Sequence, residues 1–462
     1  MRKNKLITRR IINWGFVAAA CLLVLIYLWD WYNLPWILHA EINNDISSFL
    51  AGDSVGIKDF IAKIFDMRVI ERTNQGGAYR PRILAFAVQY TDIKLWILFN
   101  RITNFGARWP LSILASLFLV SGCSGIIRFL FPSLGKAESF LFGACFLYVP
   151  QFVASSFLFL RSAKILSPAV AVWIIAWFLK NMKKRNSLDI LWGIVISMLL
   201  TLDEQLIGVV GIMLGYSILL FLFQKTHRNN IRVAVYSLLS YFLFYFTWGR
   251  WLCMYFSGGV LVRHPHSYSN VIYLYRYLIP ALETYYQALK RLVFDSRGVL
   301  ILICLFYFVM LVRLLIKREF IHTLISIYFI CAGYIFSLLI VTEHPVVARL
   351  PELPQSMYFS ISVFWFMLGF GYAASRQLIE KNKYIVLLGR MIGMLLLFNS
   401  IYVQYNIKEY ELTNATEGGV FMHNDMSALL ENENIKKAGI DITYFSGALI
   451  NEEDYKRYLD SD

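Results

Sequence analysis

The stretch Ile190-Leu-Trp-Gly-Ile-Val-Ile-Ser-Met-Leu-Leu-Thr-Leu-Asp203-Glu204-Gln205-Leu-Ile-Gly-Val-Val-Gly-Ile-Met-Leu-Gly-Tyr-Ser-Ile-Leu-Leu-Phe-Leu222 is apolar except at its centre. Read as one helix it would be about 33 residues long, against the roughly 20 that one bilayer crossing needs. The chain is therefore expected to turn near Asp203-Glu204-Gln205, leaving two membrane helices joined by an acidic tip. Acids this close to hydrocarbon are costly and mark functional positions by default, although a short polar hairpin tip is the plainer reading.

The rest of the chain fits this environment. Its 462 residues are 58% hydrophobic and 16% charged, where a soluble domain is about 25% charged. Mean hydropathy is +0.56. Such a composition excludes an ordinary soluble enzyme and excludes disorder. The 44 Lys and Arg exceed the 30 Asp and Glu, giving a formal charge of +14. The cations lie in short groups between apolar runs, not on one soluble face, so no nucleic-acid partner is expected. The six cysteines fall in or beside apolar runs without a Cys-x-x-Cys pair and read as small apolar packers.

About eleven spans are expected, near 11–32, 109–131, 137–158, 165–180, 188–203, 206–223, 231–248, 299–316, 321–341, 355–374 and 384–403. The first follows Arg2, Lys3, Lys5, Arg9 and Arg10 and is too long for a signal-peptide core. Asp30 ends it, flanked by Trp29, Trp31 and Tyr32 as an interfacial belt. Alternate gaps are short and basic: Lys136; Lys180, Lys183, Lys184 and Arg185; Lys225, Arg228 and Arg232; Lys317 and Arg318; Arg376, Lys381 and Lys383. By the positive-inside rule these gaps and the N-terminus are cytoplasmic.

Two long outside loops, about 35–108 and 249–298, are then expected to carry interfacial helices. The segment 83–103 is read as interfacial, because Asp92 and Lys94 interrupt it and counting it as a span would place every later basic cluster outside. The expected organisation is an all-α polytopic unit over 1–403 and a small extracytoplasmic tail over 404–462.

Several polar groups stand on the outside. Asp45, in Glu41-Ile-Asn-Asn-Asp45-Ile-Ser-Ser, reads as a helix N-cap or as a general base for an acceptor hydroxyl. Tyr79-Arg80-Pro81-Arg82 leads into the 83–103 helix, with Pro81 suited to a first turn. Arg161 and Lys164 either snorkel or hold a phosphate. In the loop 249–298, His264 and His266 lack a third ligand nearby and are not read as a metal pair. Glu343 and Arg349 either pair with each other or line the same cavity. No Walker A loop, Gly-x-Ser-x-Gly elbow, HExxH or GxGxxG is present.

The order of these segments resembles the polytopic glycosyltransferases of the GT-C fold, particularly the transmembrane O-mannosyltransferase branch. That branch has an acid in the first outside loop, then a Tyr-Arg-Pro-Leu segment, a Gly-Arg-Ala-Asp segment and a Ser-Lys-Glu segment. Asp45 matches the first acid, Tyr79, Arg80 and Pro81 the second segment, Arg161 the third and Glu204 the fourth. The resemblance covers about residues 1–225. Ile46 stands where a second acid is frequent, Arg82 replaces the Leu, and Lys164 stands near the Asp.

The resemblance implies a sugar donor carried on a polyprenyl phosphate and a lipid, glycan or cell-wall acceptor, used on the outer side of a bacterial plasma membrane. It further implies catalytic roles for Asp45 and Glu204, and donor-phosphate binding by Arg80, Arg161 and Lys164. Tyr79, Asp203, Glu343 and Arg349 are expected as support. No metal ligand is assigned: Ile46 breaks the acid pair that would hold a metal there, and a divalent ion (Mg or Mn) is otherwise left open. Two rival readings are a lipid-linked saccharide flippase or polysaccharide transporter, which would bury ionisable groups at mid-helix, and a membrane assembly protein acting through its tail. The geometric expectation common to the enzyme reading is that the acids and guanidinium groups meet in one pocket at the outer edge of the bilayer.

Overall fold

A computed structural model describes residues 2–33, 60–65, 82–103, 110–149, 151–152, 162–180, 188–256, 274–293, 296–343, 359–378, 444–445 and 448–449. The helices are α1 (Arg2–Asn33), α2 (Phe60–Phe65), α3 (Ile83–Thr103), α4 (Pro110–Leu130), α5 (Lys136–Cys145) and α6 (Ser162–Lys180). They continue as α7 (Asp189–Leu200), α8 (Gln205–Gln224), α9 (Arg228–Phe246), α10 (Trp248–Phe256), α11 (Leu278–Leu292), α12 (Arg297–Ile316), α13 (Phe320–Glu343) and α14 (Ser360–Leu378). The fold is helical, apart from an antiparallel pair in the tail, β1 (Tyr444–Phe445) and β2 (Ala448–Leu449), with Tyr444 opposite Leu449.

Among the described residues, five segments are long and apolar enough to cross a bilayer: Ile113–Leu130, Gln205–Gln224, Arg228–Phe256, Arg297–Ile316 and Phe320–Thr342. Shorter apolar helices cover Asn13–Leu28, Leu166–Lys180 and Asp189–Leu200. Their exteriors carry exposed Leu302, Phe308, Ile316, Leu222 and Leu243, surface that water would not tolerate in such quantity and that a lipid bilayer accepts. The run expected as one span over 137–158 breaks early. α5 passes into a 3-10 turn at Phe146–Tyr148, and Val149 is extended at φ −69°, ψ 125°. Pro150 follows in the sequence, and the residue before a proline is excluded from the α region.

The helices alternate in direction. In α8 and α13, Gly208 meets Phe336 while Gly215 meets Tyr328, an antiparallel register. Across α13 and α14, Gly333 faces Ser362 and His322 faces Tyr372, again antiparallel. In α4 and α6, Gly122 meets Val172 and Gly125 meets Ala176, so these two run in parallel. The bundle therefore has two distinct ends. One gathers Lys180, Lys225, Arg228, Lys317, Arg318 and Arg376 and is here called the basic end. The other carries Arg82, Asp203 and Glu204 and is called the acidic end.

Helices come together at small residues, as they must where lipid supplies no hydrophobic drive for helix association. A Cβ added at Gly369 would lie 2.7 Å from Ile330 Cγ1 and 2.8 Å from the Ser326 carbonyl oxygen. The main core runs through α1 and α4–α9 to α13 and α14, with Trp365, Tyr27, Tyr148 and Phe178 fully enclosed. A second core forms where α11 lays Ala281, Tyr285, Ala288 and Leu289 against Leu338, Val341, Val363 and Phe366. The opposite face of α11 leaves Ile279, Leu282 and Tyr286 exposed, the two-sided apolar pattern of a helix set between bundle and lipid.

Candidate functional site

The site builds from the turn that joins α7 to α8. Thr201 caps α7 through its N–H to the Leu199 and Met198 carbonyls, and its Oγ1 donates to the Met198 carbonyl at 2.7 Å. The chain then reverses over Leu202–Glu204, where the two acids were expected to force it. Asp203 is 5% exposed, and its Oδ1 accepts from the Gln205 N–H at 3.0 Å. A carboxylate at a helix N-terminus is stabilised by the unpaired N–H groups and the dipole there. This accounts locally for an acid so close to hydrocarbon.

Glu204 turns outward from the same tip and meets Arg82. Their closest atoms, Glu204 Oε2 and Arg82 Nη2, are 2.8 Å apart, and the two side chains are 29% and 21% exposed. The residues are 122 positions apart in the chain. Beside them, the Leu84 N–H donates to Thr201 Oγ1 at 3.3 Å. Both contacts fasten the first turn of α3 to the α7–α8 tip. A cation at a helix N-terminus opposes the dipole, and Glu204 supplies the compensating charge.

Ten residues further along α3, Asp92 is 1% exposed and its Oδ1 accepts from the Leu111 N–H at 2.9 Å. Leu111 lies in the first turn of α4, so Asp92 caps that helix from outside it. α3 thus touches the α7–α8 tip at one point and the start of α4 at another. Both are at the acidic end, so α3 lies across that end.

The two long loops meet there as well. Ile64 of α2, Phe86 and Tyr90 of α3 and Cys253 of α10 form one apolar cluster. The rings of Phe65 and Phe256 stack at 5.8 Å between centroids. From the next part of the second loop, α11 is tied to the bundle by Gln151, whose Nε2 donates to the Ala288 carbonyl at 2.8 Å. Burial among these packed groups pushes the Tyr285 phenol on α11 up from its ordinary range.

Of the residues singled out in the sequence, Asp203 and Glu204 are fully described and sit side by side at the acidic end. Lys164 falls in the first turn of α6 and Glu343 closes α13, with only their backbones described. Asp45, Tyr79, Arg80, Arg161 and Arg349 lie outside the described residues, as do His264 and His266. Among the described residues no three His, Cys, Asp or Glu side chains gather as a metal site. Ile46, which breaks the acid pair that could have held a divalent ion, lies outside them.

Arg82 and Asp92 are the polar groups whose partners the sequence did not identify. The signal for Arg82 was present in its position, a guanidinium at a helix start that calls for an acid. No family model, curated protein or solved structure matches the chain.

Proposed function

We propose that the chain is an integral-membrane glycosyltransferase, moving a sugar from a polyprenyl-phosphate donor to a lipid, glycan or cell-envelope acceptor at the acidic end of the bundle. The observation that carries this reading is the Arg82–Glu204 ion pair. Arg82 directly follows Tyr79-Arg80-Pro81, in the place of the family's Leu, and Glu204 is the acid of the fourth segment, so the pair links positions in or beside two of the four segments on which the GT-C resemblance rests. In this reading the chain makes about eleven spans in the plasma membrane of a bacterium. Its N-terminus is cytoplasmic and its C-terminal tail extracytoplasmic, so the acidic end faces out.

The chemistry asked of these residues is modest. A phosphate is a good leaving group, and fixed cations that meet its growing charge lower the barrier electrostatically. Arg80, Arg161 and Lys164 supply them. Asp45 takes the proton of the acceptor hydroxyl. Glu204, held by Arg82, orients the donor or the acceptor, with Tyr79, Asp203, Glu343 and Arg349 in support. No step is assigned to a metal.

The test is sugar transfer in membranes supplied with polyprenyl-phosphate sugars. Wild-type chain should yield a glycosylated product. Asp45→Asn and Glu204→Gln, at matched protein levels, should reduce the rate by about a hundredfold or more, in the range that general-base catalysis contributes. Undiminished transfer by Asp45→Asn removes it as the base. Movement of a lipid-linked saccharide across vesicles without covalent product replaces the enzyme reading with the transporter one.

A further inference from the structure

The basic end holds a polar cluster that the proposed transfer chemistry does not use. Arg376, in the last turn of α14, donates from Nη2 to Tyr372 Oη at 3.3 Å, and its guanidinium carbon lies 5.1 Å from the Tyr372 ring centroid. Tyr372 Oη is 3.0 Å from His322 Nδ1 on α13. A tyrosine has one proton to give. With its oxygen accepting from Arg376, its O–H can donate to His322 Nδ1, an arrangement with the imidazole proton on Nε2. The cluster therefore presents donors, from Arg376 and from His322.

What it lacks is an acceptor. Among the described residues Arg376 forms no ion pair. Its Nε has no exposed surface and no hydrogen-bond partner. Glu319 is a carboxylate whose charge acts on Tyr372, and it forms no ion pair with Arg376. A guanidinium left without an anion at the edge of a low-dielectric bundle is costly, and such a group marks a binding site by default.

The surroundings add more positive charge. The turn before α13 contains Lys317 and Arg318, and the turn after α8 contains Lys225, with Arg228 opening α9. Arg318 at φ 60°, Lys225 at φ 53° and His227 at φ 73° are the non-glycine residues with left-handed backbones among those described. Such conformations are uncommon and are retained where the surroundings enforce them. The two turns are connected by packed rings. His227 lies 6.4 Å from Tyr216, Tyr216 lies 5.1 Å from Phe329, and Phe329 lies 6.1 Å from Tyr372.

We infer that the basic end carries a binding site for one phosphate group, with Arg376 as its anchor and His322, oriented by Tyr372, as its second donor. A phosphate group supplies the anion that Arg376 lacks, and a guanidinium engages it at two points where an ammonium cannot. Basic pockets between membrane helices hold anionic headgroups in this way. The phosphate has two sources, a lipid headgroup of the adjoining leaflet or a free anion. This inference does not depend on the glycosyl-transfer reading.

The experiment is thermal unfolding of the purified full chain in a neutral detergent, with added short-chain phosphatidylglycerol, short-chain phosphatidylcholine or inorganic phosphate. Phosphatidylglycerol should raise the wild-type midpoint by several degrees with saturation, and phosphatidylcholine, whose headgroup has no net charge, should raise it much less. Arg376→Gln should abolish the difference, while Arg128→Gln, which removes an exposed cation at the same end, should keep it. Should Arg376→Gln fail to fold, Arg376→Lys decides, with about tenfold more lipid needed for the same shift.

A saturable shift with inorganic phosphate that is also lost in Arg376→Gln assigns the site to a free anion, and a shift with the lipid alone assigns it to the headgroup. Equal shifts with the two lipids and none with phosphate, or a phosphatidylglycerol shift unchanged in Arg376→Gln or Arg376→Lys, overturn the assignment.

Discussion

Ser326 Oγ donates to the Gly369 carbonyl at 2.8 Å, and the same oxygen lies 2.8 Å from Tyr307 Oη. With the serine proton committed to Gly369, Tyr307 must donate to Ser326. One hydroxyl relay therefore joins α12, α13 and α14, and it is possible only because Gly369 lets α14 come within reach of α13.

Gly369→Ala should lower stability by about 1–3 kcal/mol, the range for overpacking a close-packed interior. The added Cβ meets the Ser326 carbonyl oxygen at 2.8 Å, and backbone does not yield cheaply. Gly211→Ala is the matched comparison. A Cβ there meets nothing within 4 Å, and in a helix alanine is favoured over glycine by up to about 1 kcal/mol. Denaturation midpoints in detergent should thus move in opposite directions. Equal effects would show that the close approach at Gly369 has no energetic weight.

The Arg82–Glu204 pair is open to a double-mutant cycle. Exposed ion pairs contribute roughly 0–1 kcal/mol, and breaking a buried pair costs roughly 3–5 kcal/mol. At the partial exposure seen here, Arg82→Gln and Glu204→Gln should each cost about 1–2 kcal/mol. The double variant should cost less than the sum, with a coupling of at least about 0.5 kcal/mol. Additive losses would mean that the two side chains do not interact in the folded chain.

Asp92→Ala should cost about 1–2 kcal/mol, the usual loss for removing a helix cap. Asp92→Asn, which keeps an acceptor for the Leu111 N–H, should recover much of that loss. The readout that separates capping from general damage is hydrogen exchange. In Asp92→Ala, protection should fall first at the amides that open α4. Uniform loss across the bundle would rule out a local cap.

Tyr285 sets an alkaline limit. Its phenol is neutral and buried in the folded state, with a pKa raised by burial, and it ionises near pH 10 when unfolded. The folded state therefore binds the proton more tightly. The stabilisation is complete below pH 10 and is lost as the pH climbs from there toward the folded value. Tyr285→Phe removes this dependence at the cost of one long hydrogen bond, 3.3 Å to the Ile330 carbonyl. The wild-type unfolding midpoint should fall relative to that of the variant as the pH rises above 10. Parallel alkaline declines would place the titration elsewhere.

Much of the architecture was legible because hydrocarbon tolerates so little. Two adjacent acids inside an apolar run demanded the turn at Asp203 and Glu204. The shortened helix at α5 was legible too, in Pro150, but a count of apolar residues outweighed it. The contacts that assemble the site were not legible. Arg82 finds Glu204 across 122 positions, and no periodicity records so distant a pairing. Asp92 reads as an interruption in its own helix, whereas its partner belongs to the next one. The hydroxyl relay from Tyr307 has no signature either, because serine and tyrosine are ordinary in membrane helices and their partners are set by packing.

Only 17% of the α12 window is buried inside the bundle, so this helix meets the acyl chains along nearly its whole length. It spans 20 residues, about 30 Å at 1.5 Å per residue, which matches the hydrocarbon thickness of an average bilayer. Reconstitution into thinner or thicker membranes therefore loads mismatch onto α12 first, and from there onto the hydroxyl of Tyr307 that anchors it. The choice of lipid tail becomes a mechanical variable for this protein, reaching its interior through Tyr307 and through the Met310 carbonyl held by Gln377.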